Sequence, residues 1–319
     1  MRYRRRAPER AYPGPVTVLI AFLANVLVAV AKTVAAVLTS SASMVAEAAH
    51  SWADAGNEIF LLIADRRGAR PKDERHPLGF GRRSFVWALI AAFGIFTAGA
   101  IVSIMHGVQQ LREDEPVEAP IVAYIVLAIS FVLEGFSFVQ AFRRSRRLAR
   151  ERASSTWDFV LRTSDTTLRA VFFEDGAALI GLVIAGSSIA LHQLTGDAAW
   201  DAVGSILVGV LLAVVAILLI ARNMAFLVGT TISAGERQRI GAALMRLPQI
   251  ERITYLHVEY VGPNRLFVVA EIDLAGDESE HQVAWRLREI ERTIETHEVV
   301  EKVVLSLSVR DEASLSFDA

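Results

Sequence analysis

The chain has 319 residues, of which 53% are hydrophobic and 21% are charged, and its mean hydropathy is +0.39. This composition indicates a membrane protein and argues against a soluble enzyme. The absence of cysteine excludes disulfide bonds and thiolate metal ligands, so any metal would have to be bound by His, Asp, Glu or other oxygen donors. The formal net charge of −2 is uninformative as a total, but the distribution of the charges is not.

Six apolar stretches are long enough, at roughly 20 residues each, to span the hydrocarbon core of a membrane. We place them at Val16–Leu38, Ser41–Ala64, Ser84–Val108, Pro120–Phe142, Thr167–Leu191 and Ala199–Ala221. The first two are joined by only a few polar residues, so they are predicted to form a tight antiparallel pair. The sequence therefore predicts an all-α bundle of six transmembrane helices.

The loops between these stretches predict the orientation of the chain. Arginines cluster in the N-terminus, in the loop after the second stretch and at 143–152, whereas the loop at Glu113–Pro120 is acidic. Because Lys and Arg are enriched on the cytoplasmic side, this alternation predicts that both termini are cytoplasmic. The arginines at 143–152 can set the topology or contact anionic lipid head groups, and no nucleic acid is needed to explain them.

After about Val228 the pattern becomes that of a soluble domain. A helical stretch is followed by two alternating runs around the turn signal Gly262-Pro263-Asn264, then by a second helical stretch and a third strand-like run. This α-β-β-α-β order predicts a small cytoplasmic α+β domain, an open-faced sandwich. We divide the chain into a basic N-terminus at 1–15, a transmembrane transport domain at 16–228 and a dimerisation or regulatory domain at 229–319.

Ionisable side chains interrupt the second apolar stretch. His50 and Asp54 are four residues apart, so they lie on one face of a helix, and Glu47 precedes His50 on the same stripe. An imidazole and a carboxylate at this spacing form half of a site for a divalent cation. Because ionisable groups inside a membrane are costly, a functional role is their default interpretation.

The fifth apolar stretch carries Glu174 and Asp175, at a depth predicted to match that of His50 and Asp54. Two adjacent charges amid apolar sequence cost several kcal/mol unless they are paired or bound to a metal. Adjacent residues of a helix point about 100° apart, and Asp175 shares its face with Val171. We therefore rank Asp175 above Glu174 as a direct metal ligand.

Other polar residues in the apolar stretches have structural explanations. Asn25 and Lys32 in the first stretch and Glu134 in the fourth are predicted to satisfy one another inside the bundle. For Glu47 two roles stay open, a place on the ion or proton pathway and a hydrogen bond to a neighbouring helix. Asp201 opens the sixth stretch, where a carboxylate suits the dipole of its own helix.

Three motifs in this order resemble those of the cation diffusion facilitators. They are the pattern SxSMxAEAxHSxxD at Ser41–Asp54, HPLGFGR at His76–Arg82, and DGAALIGLVIA beginning at Asp175. Six helices with cytoplasmic termini, followed by a small cytoplasmic α+β domain, extend this resemblance along almost the whole chain.

The resemblance implies a homodimer that exchanges a divalent metal ion for protons by alternating access. It places metal ligands at His50, Asp54 and Asp175. The position of the remaining ligand is taken by Val171, which cannot bind a metal. The adjacent Glu174 resembles a subgroup in which a Glu-Asp pair on the fifth helix replaces the usual pair.

The tail departs from the pattern of the family as well. Two positions that often carry ligand histidines become Thr254 and Ala270, while His281 is present and His257 and His297 are isolated. A regulatory metal site in the tail is therefore not expected, and the domain is interpreted mainly as a dimerisation domain.

The sequence thus predicts a secondary active transporter that is not an enzyme and has no cofactor. It would carry a divalent transition metal, with zinc ahead of iron, cobalt and manganese, through a site made of His50, Asp54, Asp175 and Glu174. The predicted partners are the metal ion, protons, the lipid bilayer and a second copy of the chain, in a bacterial cell membrane. Two alternatives are a membrane scaffold with a vestigial site and an intramembrane metal-dependent hydrolase.

Overall fold

The computed structural model describes residues 15–113, 119–276 and 278–317. The predicted basic N-terminus at 1–15 lies outside this part of the chain except for its last residue, and so does most of the acidic loop that precedes Pro120.

All six predicted spans are helical, which confirms the predicted fold class. The first eight helices are α1 (Pro15–Thr39), α2 (Ala42–Gly68), α3 (Arg82–Ala91), α4 (Thr97–Glu113), α5 (Pro120–Glu151), α6 (Thr156–Arg162), α7 (Thr166–Thr195) and α8 (Ala199–Val228). The third span comprises α3 and α4, which are joined by a π-helical turn at Ala92–Phe96.

Within the described residues, five of the six spans are long and apolar enough to cross a membrane by composition alone. The exception is α2. Every window of 18 residues in this helix includes at least three Asp, Glu, Lys or Arg residues, for example Glu47, Asp54 and Glu58. The helix that hydropathy alone passes over is therefore the helix that carries the candidate ligands.

The N-terminus of α2 is capped by a residue from another helix. Asp201, which is fully buried on α8, accepts hydrogen bonds from the Ser41 hydroxyl (2.9 Å) and from the backbone N–H groups of Ala42 (2.6 Å) and Ser43 (3.3 Å). The first N–H groups of a helix have no partner within it, and a carboxylate is well suited to accept from them. The sequence suggested only that Asp201 complements the dipole of its own helix. In the structure it also caps the N-terminus of α2.

The chain folds into two compact units. The described residues of Met1–Ile59, Ala91–Val139 and Phe173–Ala216 form the first unit. The second unit contains Phe60–Ile90, Gln140–Phe172 and the described residues of Ile217–Ala319. The boundary at residue 228 that was drawn from composition stays a prediction.

The C-terminal part of the second unit has the predicted α-β-β-α-β order. Its elements are α9 (Ala234–Leu244), β1 (Ile250–Gly262), β2 (Arg265–Leu274), α10 (Glu280–Glu295) and β3 (Val300–Leu307). β1 and β2 are antiparallel and meet at the predicted turn, while β3 is parallel to β2, giving the strand order β1-β2-β3. The parallel pairing requires a crossover, which α10 provides.

The core of this domain consists of alternate residues from the three strands. Ile253, Val268, Ala270, Ile272 and Val303 are at most 2% exposed. Burying apolar side chains of this size contributes about 1.5–3 kcal/mol for each of the larger ones. The predicted open-faced sandwich therefore has a continuous apolar core.

The HPLGFGR motif forms a loop between α2 and α3 that packs on the turn between β1 and β2. A Cβ atom on Gly81 would lie 2.6 Å from the carbonyl oxygen of Val261 and 2.7 Å from the Cα atom of Gly262, so only glycine fits there. Arg82 forms a salt bridge with Glu259 on β1 at 2.9 Å. These contacts support the structural interpretation of the motif that the sequence favoured.

His76 in this loop is bound to a carboxylate of the same loop. Its Nδ1 atom lies 2.8 Å from Oδ1 of Asp73, and the backbone N–H of His76 donates to the same oxygen. The side-chain hydrogen bond from His76 lowers the pKa of Asp73. His76 therefore has a partner within its own turn, which fits a loop-forming role better than a metal-binding role.

Candidate metal transport site

The two candidate ligands of α2 lie side by side in the first unit. Nε2 of His50 and Oδ2 of Asp54 are 3.4 Å apart, one helical turn from each other. His50 is 1% exposed, whereas the Asp54 side chain keeps 21% of its surface. Both elements of the half-site predicted from the spacing are thus present on one face of the helix.

These two side chains have unsatisfied polar atoms. Neither ring nitrogen of His50 has a hydrogen-bond partner among the described residues, and Oδ1 of Asp54 is buried without one as well. Buried polar atoms in proteins are almost always paired, and leaving one unpaired costs about 1–3 kcal/mol. A bound cation would give the unpaired atoms of this imidazole and this carboxylate a partner.

The two acidic residues of α7 face different neighbours. Glu174 is 7% exposed and accepts a hydrogen bond from the Asn57 side chain on α2 at 2.5 Å. Asp175 is half-buried and accepts a hydrogen bond from the Ser137 hydroxyl on α5 at 2.6 Å. As the helical geometry predicted, the two carboxylates do not point to one place.

Glu174 and Asp175 differ in which helix holds them. The longer side chain of Glu174 reaches Asn57 on α2, the helix that carries His50 and Asp54, whereas Asp175 is held by Ser137 on α5. The contact with α2 supports Glu174 as a ligand in a way that helical directions alone do not. The ranking of Asp175 above Glu174 stays a prediction.

Within the part of the chain that the structure describes, no three His, Asp or Glu side chains converge as a group that could hold a metal ion. His50 and Asp54 form a pair. Glu174 and Asp175 each accept a hydrogen bond from a different side chain. The complete set of four ligands stays a prediction.

Two polar residues near the site were missed by the sequence interpretation. Asn57 follows Asp54 by three residues, and Glu58 follows it by four, on the same stripe of α2. Glu58 is hydrogen-bonded to Asn25, and its Oε2 atom is buried without a hydrogen-bond partner among the described residues. Their spacing from Asp54 was the signal that could have identified both.

A second group of charged residues lies in the same unit. The Lys32 ammonium forms salt bridges with Glu47 of α2 at 2.9 Å and with Glu134 of α5 at 2.8 Å. The predicted pairing of Lys32 with Glu134 is present, but Asn25 does not join it and binds Glu58 instead. For Glu47, the structure shows the bond to a neighbouring helix that was one of its two predicted roles.

In the tail, the residues at positions that depart from the pattern of the family take part in packing and hydrogen bonding within the domain. Ala270 is fully buried in the sheet, and the hydroxyl of Thr254 donates to Glu312 at 3.2 Å. His257 lies 3.5 Å from Glu259, a residue that Arg82 also contacts. These side chains are part of the packing of the domain and its loop.

The comparisons with known proteins agree with this architecture. Residues 18–228 match the cation efflux transmembrane domain, which covers the six helices of the membrane part. The chain belongs to the cation diffusion facilitators. The resemblance inferred from the three motifs is thereby confirmed.

Relatives come from animals, plants and bacteria. The chain is 36% identical over 264 residues to the proton-coupled zinc antiporter SLC30A9, mitochondrial, of Xenopus laevis, covering 83% of this chain and 47% of that protein. It is 35% identical over 238 residues to metal tolerance protein C4 of Arabidopsis thaliana, covering 75% and 52%. It is also 27% identical over 248 residues to the cation-efflux pump FieF of Cronobacter sakazakii, covering 77% of each protein.

This cation diffusion facilitator spans about half the length of the animal and plant relatives that it matches. The matched region includes α2 and α7, which carry the candidate ligands.

Proposed function

We propose that this protein is a secondary active transporter that exports a divalent transition metal, most favourably zinc, in exchange for protons. The observation that carries the proposal is the pair on α2. His50 and Asp54 lie 3.4 Å apart in the interior of the first unit, and among the described residues neither imidazole nitrogen nor Oδ1 of Asp54 has a hydrogen-bond partner. A divalent cation is the ligand that such a donor set accepts.

The donor chemistry favours zinc. One imidazole with carboxylate oxygens is a common ligand set for this ion, and Glu174 and Asp175 would supply the remaining oxygens. Iron, cobalt and manganese use similar donors, so the ligand set narrows the metal without fixing it. The name of the Xenopus relative, a zinc antiporter, supports zinc.

Proton exchange follows from the ligands themselves. His50 binds a metal only when its nitrogen is unprotonated, and carboxylates bind best as anions. A proton arriving from the outer side would therefore compete with the ion and release it. When the site next opens to the cytoplasm, loss of these protons would make the ligands able to bind metal again.

We propose a homodimer in a multi-pass topology with both termini cytoplasmic, and with the tail domain contributing to the dimer. The comparisons do not favour a bacterial cell membrane over a mitochondrial one, because one relative is named mitochondrial and another comes from a bacterium. No observation on the described residues favours an intramembrane hydrolase.

The proposal is tested by metal uptake into proteoliposomes under an imposed pH gradient, with zinc, iron, cobalt and manganese compared. We expect zinc uptake that follows the pH gradient and is abolished by Asp54→Ala. Asp311→Ala, which removes an exposed carboxylate of the tail, is the matched control and should transport normally.

Two results would contradict the proposal. Uptake that is unchanged in Asp54→Ala would place the transported ion elsewhere. No uptake of any metal by correctly folded protein would favour the scaffold interpretation, in which the site is vestigial.

A further inference from the structure

A buried ammonium group occupies the space between two carboxylates in the first unit. Lys32 on α1 is 1% exposed, and its Nζ atom lies 2.9 Å from Oε2 of Glu47 and 2.8 Å from Oε1 of Glu134. Glu47 is fully buried, and Glu134 is 16% exposed. Three helices therefore place one cationic atom between two anionic groups.

The charges of this group do not balance when both carboxylates are ionised. One ammonium faces two carboxylates, and the second oxygen of each, Oε1 of Glu47 and Oε2 of Glu134, is buried without a hydrogen-bond partner among the described residues. The backbone of α7 closes the group at Gly181, where a Cβ atom would lie 2.5 Å from Oε1 of Glu47. The two carboxylates can therefore accept more hydrogen bonds, and carry more negative charge, than Lys32 satisfies.

Two carboxylates that converge on one cation from different helices form the arrangement that hard divalent cations use. Such ions bind carboxylate oxygens at about 2.0–2.6 Å, somewhat shorter than the distances that the two carboxylates now make to the ammonium. A divalent ion would also neutralise both carboxylates, which one ammonium does not. The Lys32 ammonium therefore lies where a cation bound by both carboxylates would lie.

We propose that Lys32 is a tethered counter-cation that occupies a carboxylate pair able to bind a divalent metal ion, and that it thereby keeps Glu47 and Glu134 out of the transport site. The inference rests on the proposed function, because the site that Lys32 protects is the one built on His50 and Asp54.

Glu47 and Glu134 have to be kept from the transported ion because they lie near the candidate site. A Cβ atom on Gly181 would lie 2.5 Å from Oε1 of Glu47 and 3.9 Å from Nδ1 of His50, so the triad of Lys32, Glu47 and Glu134 borders the candidate site. If the two carboxylates were free, they would compete with Asp54 for the transported ion. With Lys32 in place, one donor set remains open for the metal and the other is filled.

The test uses full-length protein purified in detergent, with Asp54→Asn introduced to weaken the transport site. Binding of Mn2+, an ion that prefers carboxylate oxygens, is measured from the electron paramagnetic resonance signal of the free ion. We expect Lys32→Met to create a site for one Mn2+ per chain in this background. Adding Glu134→Gln should remove that site, and Lys32→Arg, which keeps the charge, should not create it.

Absence of Mn2+ binding in folded Lys32→Met protein would overturn the proposal, and so would binding that survives Glu134→Gln. Misfolding of Lys32→Met in buffers that contain Mn2+ would count against it as well, because the bound ion should replace the missing charge. Recovery of folded protein only when Mn2+ is present would support it.

The proposed function is assessed separately in the same preparations. Zinc binding is measured in the wild type and in Asp54→Asn without other changes. If Asp54→Asn leaves zinc binding intact, the proposed transport site is wrong, while the Mn2+ result still decides the role of Lys32.

Discussion

Two groups of charged side chains are buried in the first unit, and they differ in how their charges are satisfied. In the triad, Lys32 bridges Glu47 and Glu134 with two short salt bridges. In the candidate site, His50 and Asp54 contact each other at 3.4 Å but leave three buried polar atoms without partners among the described residues. Paired charges hold helices together, whereas unpaired donors are available to a ligand.

This comparison gives the two groups opposite expected responses to mutation. Removing one partner of a buried ion pair exposes the others to an apolar environment and is costly. Asp54 makes no hydrogen bond to His50 and has one buried oxygen without a hydrogen-bond partner among the described residues, so neutralising it removes a desolvation cost and leaves stability unchanged or improved.

Lys32→Met should destabilise the protein by about 3–5 kcal/mol, because it leaves two buried carboxylates facing each other without a cation. The free energy of unfolding in detergent, without divalent ions, measures this loss. Lys32→Arg is the matched control and should retain most of the stability. A loss below about 1 kcal/mol, the size expected of an exposed salt bridge, would show that the triad does not hold the helices.

Asp54→Asn should have the opposite profile. We expect zinc affinity to fall by more than about 100-fold, because losing a residue that only supports a metal ligand already costs about 10–100-fold. The free energy of unfolding should stay the same or rise. Calorimetric titration with zinc and unfolding by denaturant measure the two quantities. A stability loss comparable to that of Lys32→Met would mean that Asp54 has a structural role like that of the triad.

Asn57→Ala and Ser137→Ala form a pair that identifies the ligand on α7. Asn57 holds Glu174 and Ser137 holds Asp175, each through one hydrogen bond. Because Glu174 is held on α2, the helix that carries His50 and Asp54, we expect Asn57→Ala to lower zinc affinity by about 10–100-fold and Ser137→Ala to lower it less. The reverse order would assign the ligand to Asp175.

Asp201→Ala should remove a cap of α2 and lower stability by about 1–2 kcal/mol without abolishing zinc binding. Asp197→Ala is the control, since Asp197 accepts a hydrogen bond from the backbone N–H of Ala199 in an exposed position and its loss should cost less. Thermal unfolding compares the two. Loss of zinc binding in Asp201→Ala would extend the transport site to the end of the helix.

Much of the fold could be predicted from the sequence. The six helices follow from stretches of membrane-spanning length, and α2 was included among them although its acidic residues lower its hydropathy. The turn between β1 and β2 was marked by Gly262, Pro263 and Asn264. These signals are local, so no long-range contact is needed to interpret them.

The candidate site was predicted in part. The pairing of His50 with Asp54 follows from a spacing of four residues on one helix, which fixes their distance whatever surrounds them. The contact of Glu174 with α2 could not be obtained in this way. It depends on Asn57, a residue of another helix, and helical directions alone say nothing of what a neighbouring helix offers.

Composition, periodicity and turn residues act over short distances, so they were enough to predict the class of protein, the helices and the α-β-β-α-β order of the tail. The pairing of the charges became visible only in the folded structure. Lys32, Glu47 and Glu134 come from three helices, and Asp201 caps a helix more than a hundred residues earlier in the chain. The free energy of a buried charge depends on the atoms around it, and those atoms are brought together only by folding.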